Sequence, residues 1–249
     1  THSYMRYLYK YPLNAFPYED LVAVNKARSR HESEYELIDT GIFDKNEYCD
    51  VEVEYAKANP EDLLIQITVH NRSDQAASLA VLPTLWFRNS WEQGDNAKPF
   101  IKVQPGESGA AIIHATHPGL GDFALHCKDA DELVFTDNET NTEIIYDKPN
   151  QSPYTKCGIN RYIVHGEIAA VNPSQRGTKA SAVHYLSIGA HASHTIQLRL
   201  AKSTSESNND SAYYDFDQIL DRRKQDCDDY YTRVMPAGLS TEQKLVFRQ

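Results

Sequence analysis

The sequence predicts a mainly β protein, an antiparallel β-sandwich followed by one or two helices, and three observations carry that expectation. Short runs rich in β-branched and aromatic residues recur between residues 62 and 200. Clusters of Gly, Pro, Asn and Asp separate them, and no helix-period segment intervenes, as a parallel α/β sheet would need. The 249 residues and 28.3 kDa are enough to bury a large all-β core.

Taken in order, the first strand signal is 48–55, where Asp50, Glu52 and Glu54 share one face and Cys49, Val51, Val53 and Tyr55 the other. That period of two marks a half-buried strand. Before it, 20–36 is polar and suits a helix or a solvated loop equally. Further strands are expected at 63–70, 78–87, 110–115, 123–127, 132–135, 143–146, 163–169, 180–188 and 194–200. Turn signals fall at 71–74, 104–107, 118–121 and 172–174, where Pro fixes φ and Gly supplies positive φ. From Lys202 to Ser211 the chain is almost free of apolar residues, which reads as a linker or exposed loop. Beyond it Phe216, Ile219, Leu220, Cys227, Tyr230, Tyr231 and Val234 recur at helical spacing, with Asp215 or Asp217 as cap and Pro236 as stop. A second helix is expected to open at Ser240, whose spacing to Gln243 is that of a capping box.

Composition narrows the partners. There are 25 basic and 35 acidic residues, a net charge of -10, and no stripe of Lys and Arg, so nucleic acid and anionic membrane are not expected. Mean hydropathy is -0.59 and no apolar run approaches the roughly 20 residues of a bilayer span. Thr1 opens the chain and no charged-then-apolar leader follows, so the natural start is expected upstream and no compartment is assigned, the cytoplasm being at most slightly favoured. Cys49, Cys127, Cys157 and Cys227 show no CxxC spacing and are expected as free thiols. Glycosylation sequons occur at Asn71, Asn138, Asn150 and Asn209.

Phosphate loops, nucleophile elbows and zinc or calcium motifs are absent, so neither cofactor nor metal is expected. His165, His184, His191 and His194 fall in or beside expected strands without a carboxylate at ligand spacing, and a structural or surface role is expected of each. Two aromatic clusters stand out. In the first, an extended 4–12 puts Tyr7, Tyr9 and Tyr11 on one face and Tyr4 and Lys10 on the other, as a packing surface or as the lining of a sugar cleft. The second, Leu85-Trp86-Phe87-Arg88-Asn89-Ser90-Trp91, holds both tryptophans and an Arg able to donate a bidentate hydrogen bond. Tyr4, Lys10, Trp86, Arg88 and Trp91 are the candidate substrate-binding residues.

Several segments together resemble the N-terminal region of bacterial glucosidase-like proteins of glycoside hydrolase family 63. They are Thr1-His2-Ser3-Tyr4-Met5 through Tyr11-Pro12, Ala15-Phe16-Pro17-Tyr18, Asp39-Thr40-Gly41-Ile42-Phe43 and Leu82-Pro83-Thr84-Leu85-Trp86-Phe87-Arg88-Asn89. Gly158-Ile159-Asn160-Arg161-Tyr162 with Val164-His165-Gly166, Ala170-Val171-Asn172-Pro173 and Gly177-Thr178-Lys179-Ala180 complete the set. The resemblance implies a β-supersandwich joined by linker helices to an (α/α)6 toroid, which carries the acidic pair that hydrolyses an α-glucosidic bond with inversion. It implies a division into a sandwich over 1–201, a linker with helix over 202–236 and the start of the toroid over 237–249. The catalytic carboxylates would then lie past Gln249, no catalytic residue is assigned here, and the partners would be the chain's own catalytic domain and an oligosaccharide. Two other readings remain: a stand-alone carbohydrate-binding module that stacks glycans on aromatic rings, and a sandwich catalytic in itself through carboxylates such as Asp39 and Asp44.

Overall fold

A computed structural model describes residues 2–92, 94, 97–105, 111–203 and 210–248. The expectations that fall on Thr1, the 106–107 end of one turn, Ala110, the sequon at Asn209, most of the polar tract after Lys202 and Gln249 lie outside the described residues. Twelve strands are described, β1 (Tyr4–Pro12), β2 (Tyr48–Asn59), β3 (Asp62–Asn71), β4 (Ala77–Val81), β5 (Thr84–Trp86), β6 (Phe100–Pro105), β7 (Ala111–His117), β8 (Gly121–Cys127), β9 (Glu132–Thr136), β10 (Arg176–Gly177), β11 (Lys179–Ile188) and β12 (Ser193–Lys202). Five helices are described with them, α1 (Tyr18–Ala27), α2 (Thr142–Tyr146), α3 (Gly158–His165), α4 (Phe216–Val234) and α5 (Thr241–Arg248).

The strands form two antiparallel sheets, as expected of a sandwich. The larger runs β1-β2-β3-β12-β8-β7-β6-β10. In the smaller, β11 is central, with β4 and β5 following each other along one side and β9 along the other. Alternation decides what lies between the sheets. Ile67, Val69, Ile196, Leu198, Leu125, Ile113 and Ile101 from the large sheet meet Phe135, Ala180, Ala182, Leu186 and Ile188 from the small one in a single core. Burying a side chain of this size stabilises the fold by about 1.5–3 kcal/mol.

Each outer face is covered by a helix. Phe216 and Leu220 of α4 pack on Tyr4, Ala56 and Leu64 of the large sheet. Arg223 Nε donates to the Lys57 carbonyl at 2.7 Å, and Arg199 is clamped between Asp62 and Asp215. On the small sheet Ile159, Tyr162 and Ile163 of α3 cover Val134 and Val183.

Three expected strands are corrected. The run 78–87 is two strands, because Pro83 has no N–H for the ladder and only its carbonyl bonds β11, to Ala182 N at 3.1 Å. Residues 143–146 form α2, whose start is capped by Asn141 accepting from Ile144 N. Residues 163–169 form the end of α3 and a 3-10 turn, with Gly166 at φ 67 closing the helix. The undecided 20–36 divides into α1 and a loop. The capping box is present, Ser240 N donating to Gln243 Oε1 at 2.9 Å and Gln243 N to Ser240 Oγ at 3.2 Å.

The four cysteines are unpaired. Of the sequon asparagines described, each spends its side-chain amide inside the protein: Asn71 on the carbonyls of Gln75, Ile188 and Gly189, Asn138 on Phe87 and Asn150 on Asn141.

His184 is 3% exposed between the sheets, and its Nε2 has no hydrogen-bond partner among the described residues. Burial lowers its pKa, and the Asp131 charge offsets only part of this. Above the unfolded value of about 6.5 the imidazole is neutral in both states and pH has no effect through it. Below that value the unfolded chain binds a proton that the folded chain refuses, so stability falls as pH falls, by up to about 1.4 kcal/mol per pH unit. Urea titrations between pH 7.5 and 5 should show this decline in the wild type and a flatter profile in His184→Leu. Equal slopes would remove His184 as its cause.

Candidate functional site

Four strand ends meet at the entry end of β11. The segment leaving β5 supplies Phe87 to Trp91, the segment leaving β9 supplies Asp137 to Glu139, β6 enters through Lys98 and Pro99, and β10 supplies Arg176 and Gly177. They are tied by backbone bonds: Phe87 N to Thr178 O at 3.0 Å, Thr178 N to Thr136 O at 3.1 Å and Asn172 N to Phe135 O at 2.8 Å. Asn138 completes the knot, donating from its amide to Phe87 O at 2.9 Å and from its backbone N–H to Thr178 Oγ1 at 2.7 Å.

The result is a crevice of about 350 Å³ lined by Lys98, Phe100, Asp137, Asn172, Arg176 and Thr178, with Pro99 and Gly177. Its charges are organised around one ammonium. Lys98 Nζ lies 2.7 Å from Glu139 Oε1 and 3.2 Å from Asp137 Oδ1. Burial pulls the Lys98 pKa down, but the hydrogen bond to Glu139 and the two carboxylate charges outweigh it and leave it raised. Glu139 is buried and also accepts from the Trp91 indole N–H at 3.2 Å, so the ring is held in place. Lys98 Nζ sits 5.7 Å from the Trp91 ring centre, and the Arg176 guanidinium sits 4.6 Å from the ring centre of Phe100. Flat apolar rings beside carboxylate, amide and guanidinium groups suit a neutral hydroxylated ligand: C–H faces lie on the rings and hydroxyls bond the polar groups.

Close packing here depends on glycine. A Cβ at Gly177 would sit 2.1 Å from the Thr136 carbonyl oxygen, and one at Gly158 would sit 2.2 Å from that of Ala170. Neither contact is possible without moving backbone.

Of the five candidate residues, Trp91 stands beside the crevice without lining it, joined through Glu139 to the lining residue Lys98. Arg88 is exposed on the same segment, and Trp86 is 54% exposed on the outer face of the small sheet, paired with Lys179. Tyr4 and Lys10 lie on β1, at the opposite edge of the large sheet from β6 and β10. Tyr4 is 8% exposed under α4 and donates its hydroxyl to Glu54, while Lys10 pairs with Asp50 at 2.8 Å. Asp39, of the third reading, closes a capping box with Glu36 in a 3-10 turn. The sequence reading missed Lys98, Phe100, Asp137, Glu139 and Arg176, which carry no local motif; they act together only once four strand ends are brought side by side. Among the described residues no group of three or more His, Cys, Asp or Glu is placed to hold a metal ion, and no helix is long and apolar enough to cross a membrane.

Nearby, Cys157 precedes α3 and has Thr155 Oγ1 at 3.4 Å and Asn141 Nδ2 at 3.5 Å from its sulfur. Burial pushes the thiol up, but these hydrogen bonds and the Arg161 charge outweigh it and its pKa is lowered.

No family model matches the chain. It is 34% identical to "Uncharacterized protein YMR196W" of Saccharomyces cerevisiae, in an alignment covering 100% of this chain and 27% of that protein. The chain thus spans about a quarter of the length of this curated relative. Among solved structures, "Polysaccharide Lyase BACCELL_00875" matches with a TM-score of 0.36 and 14% identity, over 63% of this chain and 21% of that one.

Gly177→Ala and Gly158→Ala should each cost about 2 kcal/mol or more, because backbone must shift to admit the methyl group, a melting temperature lower by about 4–8 °C. Gly119→Ala, whose Cβ would find only the His117 ring at 3.6 Å, should change stability by about 0.5 kcal/mol or less. Equal melting temperatures for the three variants would show that the crevice does not rest on these two glycines.

Proposed function

We propose that this chain is the non-catalytic β-sandwich domain of a glucosidase-like protein of the glycoside hydrolase family 63 type. In this reading it supports an (α/α)6 catalytic domain elsewhere in the protein and lends the crevice at Trp91 to its substrate pocket. The parent enzyme would hydrolyse α-glucosidic bonds with inversion, using carboxylates that this chain does not supply.

One observation supports this reading above the others. The segments that carry the resemblance are scattered in sequence, yet four of them meet around Thr136 and the crevice. Residues 82–89 bond Thr178 and Asn138, the 158–166 helix begins against Thr136 and Ala170, 170–173 supplies Asn172, and 177–180 supplies Gly177 and Thr178. Here a carboxylate–ammonium pair and two half-buried rings border a cavity, an arrangement with the polar and apolar groups a bound ligand needs. A hydroxylated ligand would use both kinds of group.

The second reading, a stand-alone carbohydrate-binding module, draws on the same rings and makes a different demand: the isolated chain must bind glycans.

The test uses the full-length protein. Trp91→Ala and Arg88→Ala should raise KM for α-glucosidic oligosaccharides by about tenfold, roughly 1.4 kcal/mol of lost binding, with little change in melting temperature. Unchanged KM in both variants would overturn the pocket role. Calorimetric titration of the isolated chain with α-glucosides separates the two readings, since saturable binding without the rest of the protein favours the module.

A further inference from the structure

The large sheet ends at β1, whose unpartnered edge follows from the hydrogen-bond register. β1 and β2 pair antiparallel from Tyr4 with Ala56 to Pro12 with Tyr48. Just outside this ladder Lys57 N donates to Ser3 O and Leu13 N to Glu47 O, both at 2.9 Å. Hydrogen-bonded pairs recur every second residue of an antiparallel ladder. Met5, Tyr7, Tyr9 and Tyr11 therefore turn their backbone groups toward β2, and Tyr4, Arg6, Leu8 and Lys10 turn theirs to the open edge. Pro12 falls in the outward set, where its missing N–H costs the ladder nothing. No described strand lies along this edge.

Such an edge is ordinarily blunted by short length or projecting charge. This one is nine residues long. Its two cations are withdrawn, Arg6 onto Glu52 and Lys10 onto Asp50. Met5, Tyr7, Tyr9 and Tyr11 form an exposed row on the opposite face, with Tyr7 60% exposed. The opposite edge of the same sheet, β10, is only two residues long.

The chemistry of an occupant is shown by the strand that already pairs with β1. β2 reads Asp50-Val51-Glu52-Val53-Glu54-Tyr55, carboxylates toward Arg6 and Lys10 and apolar side chains toward the Tyr row. We propose that the open edge of β1 is a strand-addition site for an extended polypeptide segment that alternates carboxylate and apolar residues. Backbone bonds to Arg6, Leu8 and Lys10 would hold it, its carboxylates would take the outer side of Arg6 and Lys10, and its apolar residues would cover Tyr7, Tyr9 and Tyr11. This site lies at the opposite edge of the large sheet from β6 and β10, which line the crevice, and is independent of the reading given for it.

The probe is a synthetic peptide with the sequence of residues 50–57, with a control carrying Lys at the three acidic positions. Amide hydrogen exchange by NMR reads the register directly. In the free chain the Arg6, Leu8 and Lys10 amides should exchange fast and those of Tyr7 and Tyr9 slowly; saturating peptide should slow Arg6, Leu8 and Lys10 by about tenfold or more. The control peptide should bind at least about tenfold more weakly. Leu8→Pro removes an outward N–H and leaves the β2 ladder whole, so it should keep the melting temperature and lose the protection. Should Leu8→Pro unfold the chain, Tyr7→Lys with Tyr9→Lys tests the same site from the side chains. No protection at millimolar peptide, equal binding of the control, or a concentration-dependent dimer of the free chain that protects the same amides would overturn the proposal.

Discussion

Everything distinctive about one end of this protein depends on two close backbone approaches, of Gly158 to the Ala170 carbonyl and of Gly177 to Thr136. Its carbonyl accepts from Thr178 N, lies where a side chain on Gly177 would have to be, and ends the strand from which Asp137 and Glu139 project. With Gly177 drawn in, β10 brings Arg176 beside Phe100; with Gly158 drawn in, α3 begins against the small sheet. Remove either approach and the strand ends separate, leaving carboxylates, ammonium and rings as unrelated surface groups.

The same separation of roles runs through the two sheets. Their facing sides are mainly apolar and pack into one core that fixes the fold, and this core also holds His184 and the free thiols of Cys49 and Cys127. Polar groups are pushed to the outer faces and the strand ends, where water or a helix can satisfy them. On the outer face of the large sheet the result is a structural network: burial raises the Glu54 pKa, yet bonds from Tyr4 and Lys224 outweigh this and lower it. Asp50 behaves alike between Lys10 and Arg72. At the entry end of β11 no described helix closes over the polar groups, and the network there borders a cavity. Identical chemistry, carboxylates bridged by cations, thus serves stability in one place and leaves room for a ligand in the other.

What the sequence discloses follows from the range of each interaction. Period-two alternation is local, and most strands and the sandwich class were legible from it. So was the helix from Phe216, which buries Phe216 and Leu220 on one stripe. Short apolar runs were not: Ile144-Ile145-Tyr146 satisfies a strand pattern, and only the Asn141 cap makes it a turn of helix. The site was half legible. Trp91 could be picked out as an aromatic beside a strand end, but its partner Glu139 is 48 positions away. Tyr4 illustrates the converse. Its place in an aromatic row suggests a ligand surface, and only the docking of α4, more than two hundred positions later, makes it core.

The row that remains in water is the one whose residues turn their backbone toward β2. Along β1, side chains and backbone groups alternate out of phase: the exposed rings belong to residues whose main chain is satisfied, and the open backbone belongs to Tyr4, Arg6, Leu8 and Lys10. A neighbouring strand meets both at once, gaining hydrogen bonds from one set and apolar contact from the other. The ion pairs to Glu52 and Asp50 then act in an unaccustomed sense. They hold Arg6 and Lys10 over β2 while leaving each cation about half exposed, with side-chain exposures of 56% and 45%. Carboxylates on an added strand would extend a pattern the sheet has already built once.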